Sequence, residues 1–193
     1  PPVPDAHLTL WTHTALDSLH VPPGRLGALE DGDVAELAQW NAEGQQVYFG
    51  LGLRRSGLDV SEQGGKADVV ALPGFALDVD IYDPDAHASF QLPKNEAEAY
   101  DVIAAAPDPS LIVATGYGWH VYWTFNFPWV LHDDAERARC ENAYRAFQAP
   151  LRARAAERGW HLDATHTIQR VWRVPGFANG KRKDPTRRVR ILH

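Results

Sequence analysis

Cysteine is nearly absent from this chain of 193 residues, and methionine is absent altogether. The single Cys140 leaves no partner for an internal disulfide and excludes a cysteine-rich zinc module. A lone thiol fits a reducing cytoplasm, which is the expected location. The sequence shows neither a signal-peptide pattern nor an apolar run of the roughly 20 residues that a bilayer-spanning helix needs. No membrane partner is therefore expected. Without methionine even at position 1, the chain reads as part of a longer protein. Hydrophobic residues make up 45% and charged residues 23%, the balance of a soluble globular protein. The length suits one domain or two tightly joined parts.

Excess charge of one sign is small overall, at −6, but unevenly distributed. Residues 164–193 hold Arg170, Arg173, Lys181, Arg182, Lys183, Arg187, Arg188 and Arg190 against one acid, Asp184. That segment is +7, which leaves −13 on residues 1–163. A concentrated basic segment on an acidic body is either a local polyanion site or a solvated charged end.

Hydrophobic periodicity divides the chain. Residues 33–43 read as a short helix, and "QQVYFGLGLRR" reads as one strand with Val47, Phe49 and Leu51 on one face. A loop tipped by Gly64-Gly65 leads into "ADVVALPGFALDVDIY", one or two strands. Asn95 caps a helix that ends before Pro107. "LIVAT" and "HVYWTFNF" form a hairpin across "GYGW". Asp133 or Asp134 opens a long helix striped by Tyr144, Phe147 and Leu151, which Pro150 should kink or split and Gly159 should end. "RVWRVPG" and "RRVRILH" read as further strands. The mixture predicts a mixed or antiparallel sheet backed by helices.

Three stretches carry chemistry. In "FALDVDIYD", Phe75, Leu77, Val79 and Ile81 alternate with Ala76, Asp78, Asp80 and Tyr82. The apolar set faces a core and the two acids share the other face. Adjacent like charges oppose folding unless a cation lies between them, and hard carboxylate oxygens suit Mg²⁺ or Mn²⁺. A solvated edge strand is the plain alternative. In "ATGYGWHVYW", Gly116 and Gly118 permit a tight turn, and His120 stands on the face opposite Val121 and Trp123, where it could donate to a phosphate. In "LDATHTIQRVWRVPGFANGK", Asp163 is a third carboxylate, and Asn179 and Lys181 lie in a Gly-containing loop suited to phosphate. Arg170 and Arg173 are three apart, so on a strand they face opposite ways; Arg173, nearer the turn, is the better phosphate ligand.

In this order, the stretches resemble the archaeo-eukaryotic primase superfamily, in its bacterial, phage and plasmid primase-polymerase branch. The carrying residues are Asp78-Val79-Asp80, then Thr115, Gly116, Gly118, His120, Tyr122 and Trp123, then Leu162-Asp163, Arg173, Pro175-Gly176, Asn179 and Lys181. The resemblance spans roughly residues 45–193. Thr115 stands where serine is common, and Phe177 where threonine is usual. The resemblance implies an α/β (α+β) catalytic core in one domain, residues 1–193. Its palm sheet, about 71–193, resembles an RNA-recognition motif and packs against an N-terminal α/β unit, about 1–70. It implies template-directed nucleotidyl transfer with two Mg²⁺ or Mn²⁺ ions held by Asp78, Asp80 and Asp163. Thr115, Gly116, Gly118, His120, Arg173, Asn179 and Lys181 would bind the nucleotide. The implied partners are a single-stranded DNA template and primer, nucleoside triphosphates, and a fused or associated helicase.

Arg54, Arg55, Arg182, Lys183, Arg187 and Arg188 are weaker nucleic-acid contacts, since period-2 alternation sends some of them away from any shared groove. Trp119, Trp123 and Trp172 suit base stacking or, more simply, core packing. A metal-dependent nuclease and a non-catalytic nucleic-acid-binding domain remain as alternatives. The full acid set and His120 count against the second.

Overall fold

The acid-bearing alternation forms one long strand through the middle of a nine-stranded sheet. The computed structural model describes residues 6–12, 18–21, 31–87, 89–182 and 187–192; Lys183 and the side chain of Arg182 lie outside them. In chain order the elements are β1 (Ala6–Thr12), β2 (Ser18–Val21), α1 (Asp31–Ala42), β3 (Val47–Gly50), β4 (Leu53–Arg55) and β5 (Val69–Asp80). There follow α2 (Glu96–Ile103), β6 (Leu111–Ala114), β7 (Gly118–Val130), α3 (Asp134–Glu157), β8 (Val171–Arg173) and β9 (Arg190–Ile191). The strand order is β8-β3-β1-β4-β5-β7-β6-β9, with β2 paired to β1. Each of these pairings is antiparallel.

β5 behaves as its alternation dictates. Leu77 and Val79 are fully buried and pack with Trp119, Val121 and Trp123 of β7 under α2 and α3. Asp78 and Asp80 point to the face that these helices leave open. Pro73 cannot donate to the ladder, and the β5–β7 register shifts between Leu72 and Gly74. Gly74 fits there because a Cβ would lie 2.9 Å from the Thr124 Cα.

Asn95 caps α2 by accepting from the Glu98 N–H at 3.0 Å, and Asp133 caps α3 by accepting from the Glu136 N–H at 2.7 Å. Pro150 does not split α3. The buried stripe of Cys140, Tyr144, Gln148, Leu151 and Ala155 runs through it and packs on both sides. That packing offsets the one hydrogen bond proline removes.

The single strand expected in "QQVYFGLGLRR" is two, β3 and β4, broken at Leu51-Gly52. Tertiary contact causes the break: Gly52 packs so closely on residue 168 that a Cβ would lie 2.5 Å from the Ile168 carbonyl oxygen. β1 joins the two halves of the sheet, pairing with β4 through Ala6 and His7 and with β3 through Leu10–Thr12. β8 pairs with β3, opposing Trp172 to Phe49 and Arg173 to Tyr48. A late strand therefore completes the early part of the sheet.

Candidate active site

The antiparallel register sets His120 directly across from Asp78, and Gly118 across from Asp80. His120 Nε2 lies 3.9 Å from Asp78 Oδ1, and Arg170 Nη2 donates to Asp78 Oδ2 at 3.4 Å. His87, in the turn after β5, faces Asp80 with Nε2 3.3 Å from Oδ1. Around the acids stand Ala76, Tyr122 and Trp172, a small apolar cluster that lowers the local dielectric.

The electrostatics follow from that setting. Desolvation holds the Asp78 carboxyl above the usual carboxylate range, and the Asp163 charge adds to it; Arg170, Arg173 and Lys181 pull the other way. Asp80 is raised by the same desolvation and then by Asp78 itself. Burial and the two arginines push the His120 imidazole down to about 3, so it is neutral at physiological pH. A neutral imidazole has one N–H to give. Among the described residues, the buried His120 Nδ1 and the buried Tyr122 hydroxyl have no hydrogen-bond partner. Buried polar atoms without protein partners are uncommon, and ordered water, an ion or a ligand can complete their bonding.

Asp163 reaches the site through space rather than by contact. It follows the buried Leu162 after α3, its side chain is 62% exposed, and His161 Nε2 lies 3.0 Å from its Oδ1. Its charge is nonetheless felt by both strand acids. Among the described residues, no group of three or more His, Cys, Asp or Glu is close enough to hold a metal ion by itself. The donor set that fits is two carboxylates with open positions, which is how Mg²⁺ is commonly held when phosphates and water complete its shell.

The hairpin residues divide between cradle and support. Gly116 has φ +97°, and a Cβ on Gly118 would lie 2.8 Å from the Asp80 Cα, so neither position admits a side chain without strain. The Thr115 hydroxyl is buried and donates to the Gly118 carbonyl at 3.1 Å, closing the turn. Asn179 is buried too: Nδ2 donates to the Thr115 carbonyl at 2.6 Å, and Oδ1 accepts from the Lys181 N–H at 3.0 Å. The Asn179 side chain thus stitches the Lys181 loop onto the hairpin that the Thr115 hydroxyl closes. Lys181 itself is exposed, and its charge reaches both strand acids. The Arg173 guanidinium lies over the Tyr48 ring at 5.2 Å, close enough to act on Asp78 and His120.

Two residues of the site escaped the sequence reading. Arg170 was set aside on strand periodicity, but it precedes β8 and sits at the end of a turn, where period 2 does not apply. His87 lies in an ordinary "DPDAH" turn, with no spacing signal to mark it.

One weak assignment is overturned. Arg54 has no exposed surface: Nη1 donates to the Gly52 carbonyl and Nη2 to the Gln169 carbonyl at 2.7 Å. It holds chain segments together and is out of reach of nucleic acid. Arg55 is exposed and paired with Asp68 at 2.7 Å. Arg187 binds Asp83 at 2.9 Å, and Arg188 donates to the Gly176 carbonyl at 3.3 Å. Trp119, Trp123 and Trp172 are buried, which makes them packing residues.

The sheet and its helices have the fold of the AEP domain of a primase-polymerase. Among solved structures, the chain is similar to the archaeo-eukaryotic primase domain of the cyanophage S-2L primase-polymerase, with TM-score 0.57 and 16% identity over 98% of this chain and 80% of that one. The catalytic domain of primase RepB′, solved in complex with initiator DNA, aligns with TM-score 0.49 and 16% identity over 97% of this chain and 76% of its own. No family model and no curated protein matches the sequence.

Proposed function

We propose that the chain catalyses template-directed nucleotidyl transfer on DNA, as a primase-polymerase that consumes nucleoside triphosphates. One observation carries this reading. The fold brings Asp78 and Asp80 together with His120, Arg170, Arg173 and Lys181 on the sheet face that α2 and α3 leave open.

The roles follow from the chemistry of each group. Asp78 and Asp80 would hold divalent ions, and Asp163, already within electrostatic reach, would join them. Bound Mg²⁺ or Mn²⁺ would lower the pKa of an attacking 3′-hydroxyl and neutralise the charge on the leaving pyrophosphate. His120, neutral and with an unpartnered ring nitrogen, donates a hydrogen bond to a triphosphate oxygen. Arg173 and Lys181 supply positive charge to the same phosphates. Arg170 partly neutralises Asp78 until the nucleotide arrives. Thr115 and Asn179 act on the nucleotide indirectly, by fixing the hairpin and the Lys181 loop.

The test is primer extension on a short labelled template with Mg²⁺ or Mn²⁺, each nucleotide set supplied separately. Asp78→Asn/Asp80→Asn is the control. Template-dependent products from the parent alone support the reading. Shortened primer with no extension overturns it in favour of a nuclease. An unchanged primer overturns it in favour of a binding domain.

A further inference from the structure

A cavity of about 640 Å³ lies at the tip of the β6–β7 hairpin, and no step proposed above uses it. Its wall includes Tyr82 and Asp83 just past β5, Tyr117 of the turn, and Arg187, Arg188 and Arg190. Trp119 also lines it and belongs to the core beneath α2 and α3. Side chains alternate along β7, so this wall lies on the opposite face of the hairpin from His120 and Asp78.

Its chemistry combines flat rings with guanidinium groups. Phe90 is 77% exposed, a large apolar ring left in water, and it packs on Tyr82 with ring centroids 5.4 Å apart. Tyr117 is covered by the Arg187 guanidinium at 5.1 Å. That guanidinium is fixed by Asp83 at 2.9 Å and by the Gly116 carbonyl at 3.1 Å. Arg188 and Arg190 are exposed on the same wall. The acids lining it are Asp83, already paired, and Glu96. An exposed ring packed at a tilt against a second ring, with arginines alongside, matches alternating bases and phosphates. Stacking tolerates any base, and the phosphates give sequence-independent charge contact.

We infer that this cavity, together with the exposed Phe90 ring that packs on Tyr82 of its wall, binds single-stranded nucleic acid, with a base stacked on Phe90 and backbone phosphates at Arg188 and Arg190. The strand passes from the acid face over the hairpin tip to this second face. Calling that strand the DNA template rests on the proposed function; the binding itself does not.

The experiment is fluorescence anisotropy of a short labelled oligo-dT, in chelator and without nucleoside triphosphates, so that catalysis plays no part. Thermal melts monitored by circular dichroism check that each variant is folded. Phe90→Ala is expected to weaken binding by about 5- to 30-fold, in line with the loss of one stacked base. Phe90→Trp should keep parental affinity. Arg190→Ala should reduce the slope of log affinity against log salt by about 0.7, one single-strand phosphate contact. Asp78→Asn/Asp80→Asn should bind at least as tightly as the parent. Oligo-rU of equal length should bind comparably, since neither contact reads the sugar; strong preference for one sugar would overturn the stated contacts.

Parental affinity and salt slope in both Phe90→Ala and Arg190→Ala would overturn the inference, as would a parent that binds no strand. If those variants bind normally and the parent still extends primers, the cavity assignment falls while the proposed function stands. If strand binding behaves as expected but no primer is extended, the function falls and the groove stands.

Discussion

Arg54 has no exposed surface, yet its two terminal nitrogens reach carbonyls 2 and 115 residues away in the chain. Burial drops its pKa to about 10, leaving it charged at neutral pH. Gly50 leaves space for it, since a Cβ there would lie 2.8 Å from the Arg54 Cζ. One of the carbonyls it holds belongs to Gln169, the residue before the Arg170 that meets Asp78. Arg54→Met would strip donors from two carbonyls and is expected to lower stability by about 2–4 kcal/mol. Urea denaturation reads this directly, and an unchanged midpoint would mean that solvent replaces the clamp. The strand acids should respond in the opposite direction. Asp78→Asn/Asp80→Asn removes desolvated, mutually repelling charge, so its melting temperature in chelator should exceed the parent's. Added Mn²⁺ should raise the parent's melting temperature and leave the variant's unchanged; equal response in both would place the ion elsewhere. That Asp78 and Asp80 share a face, and that His120 lies opposite Val121 and Trp123, was legible in the sequence because strand alternation fixes which residues of one strand share a face. The fate of Arg54 was not, because it depends on a carbonyl that only the folded chain brings near.

At the level of elements, local signals and tertiary contacts divide the outcome. The caps of α2 and α3 stood out in the sequence because Asn95 and Asp133 bond to amides three residues on. The break between β3 and β4 was hidden, since it is imposed by residue 168 pressing on Gly52. The contact between α2 and α3 adds a charged tie. Asp101 of α2 bonds Arg154 Nη2 of α3 at 2.5 Å, and Arg158 just beyond it at 2.9 Å. The Arg154 hydrogen bond is the main influence lowering the Asp101 pKa below its ordinary 3.8. A lowered carboxylate pKa stabilises the fold above the unfolded value and loses that contribution as pH falls through the folded one. The stability gap between the parent and Asp101→Asn should therefore be constant near neutrality and close below about pH 3.8. Paired denaturation curves across that range test it. A gap that persists at low pH would assign the effect to packing instead.

For the molecule as a whole, the basic segment proves to be two surfaces. Arg170, Arg173 and Lys181 converge on the acid face, whereas Arg187, Arg188 and Arg190 line the cavity across the hairpin. Composition showed the charge excess, but only the path of the chain around the hairpin separates its two halves. The same late segment closes the sheet. β8 pairs with β3, and Trp172 on it is 1% exposed, packed at the acid face with Ala76 and Tyr122 and edge-on to His120 at 5.0 Å. Cutting the chain after residue 70 would leave β3 without β8 and strip Trp172 of its Phe49 neighbour. It would also separate β4 from β5, whose register begins at Leu53–Ala71. Residues 71–193 alone are therefore expected to lack a fixed core despite holding every acid of the site. Amide proton dispersion on that segment and a cooperative urea transition are the measurements. A well-dispersed spectrum with a sharp transition would mean that the later strands fold without β3 and β4. Collapse of both, restored by adding residues 1–70 as a separate chain, would show that the acid face is built by pairing between distant ends of the sequence.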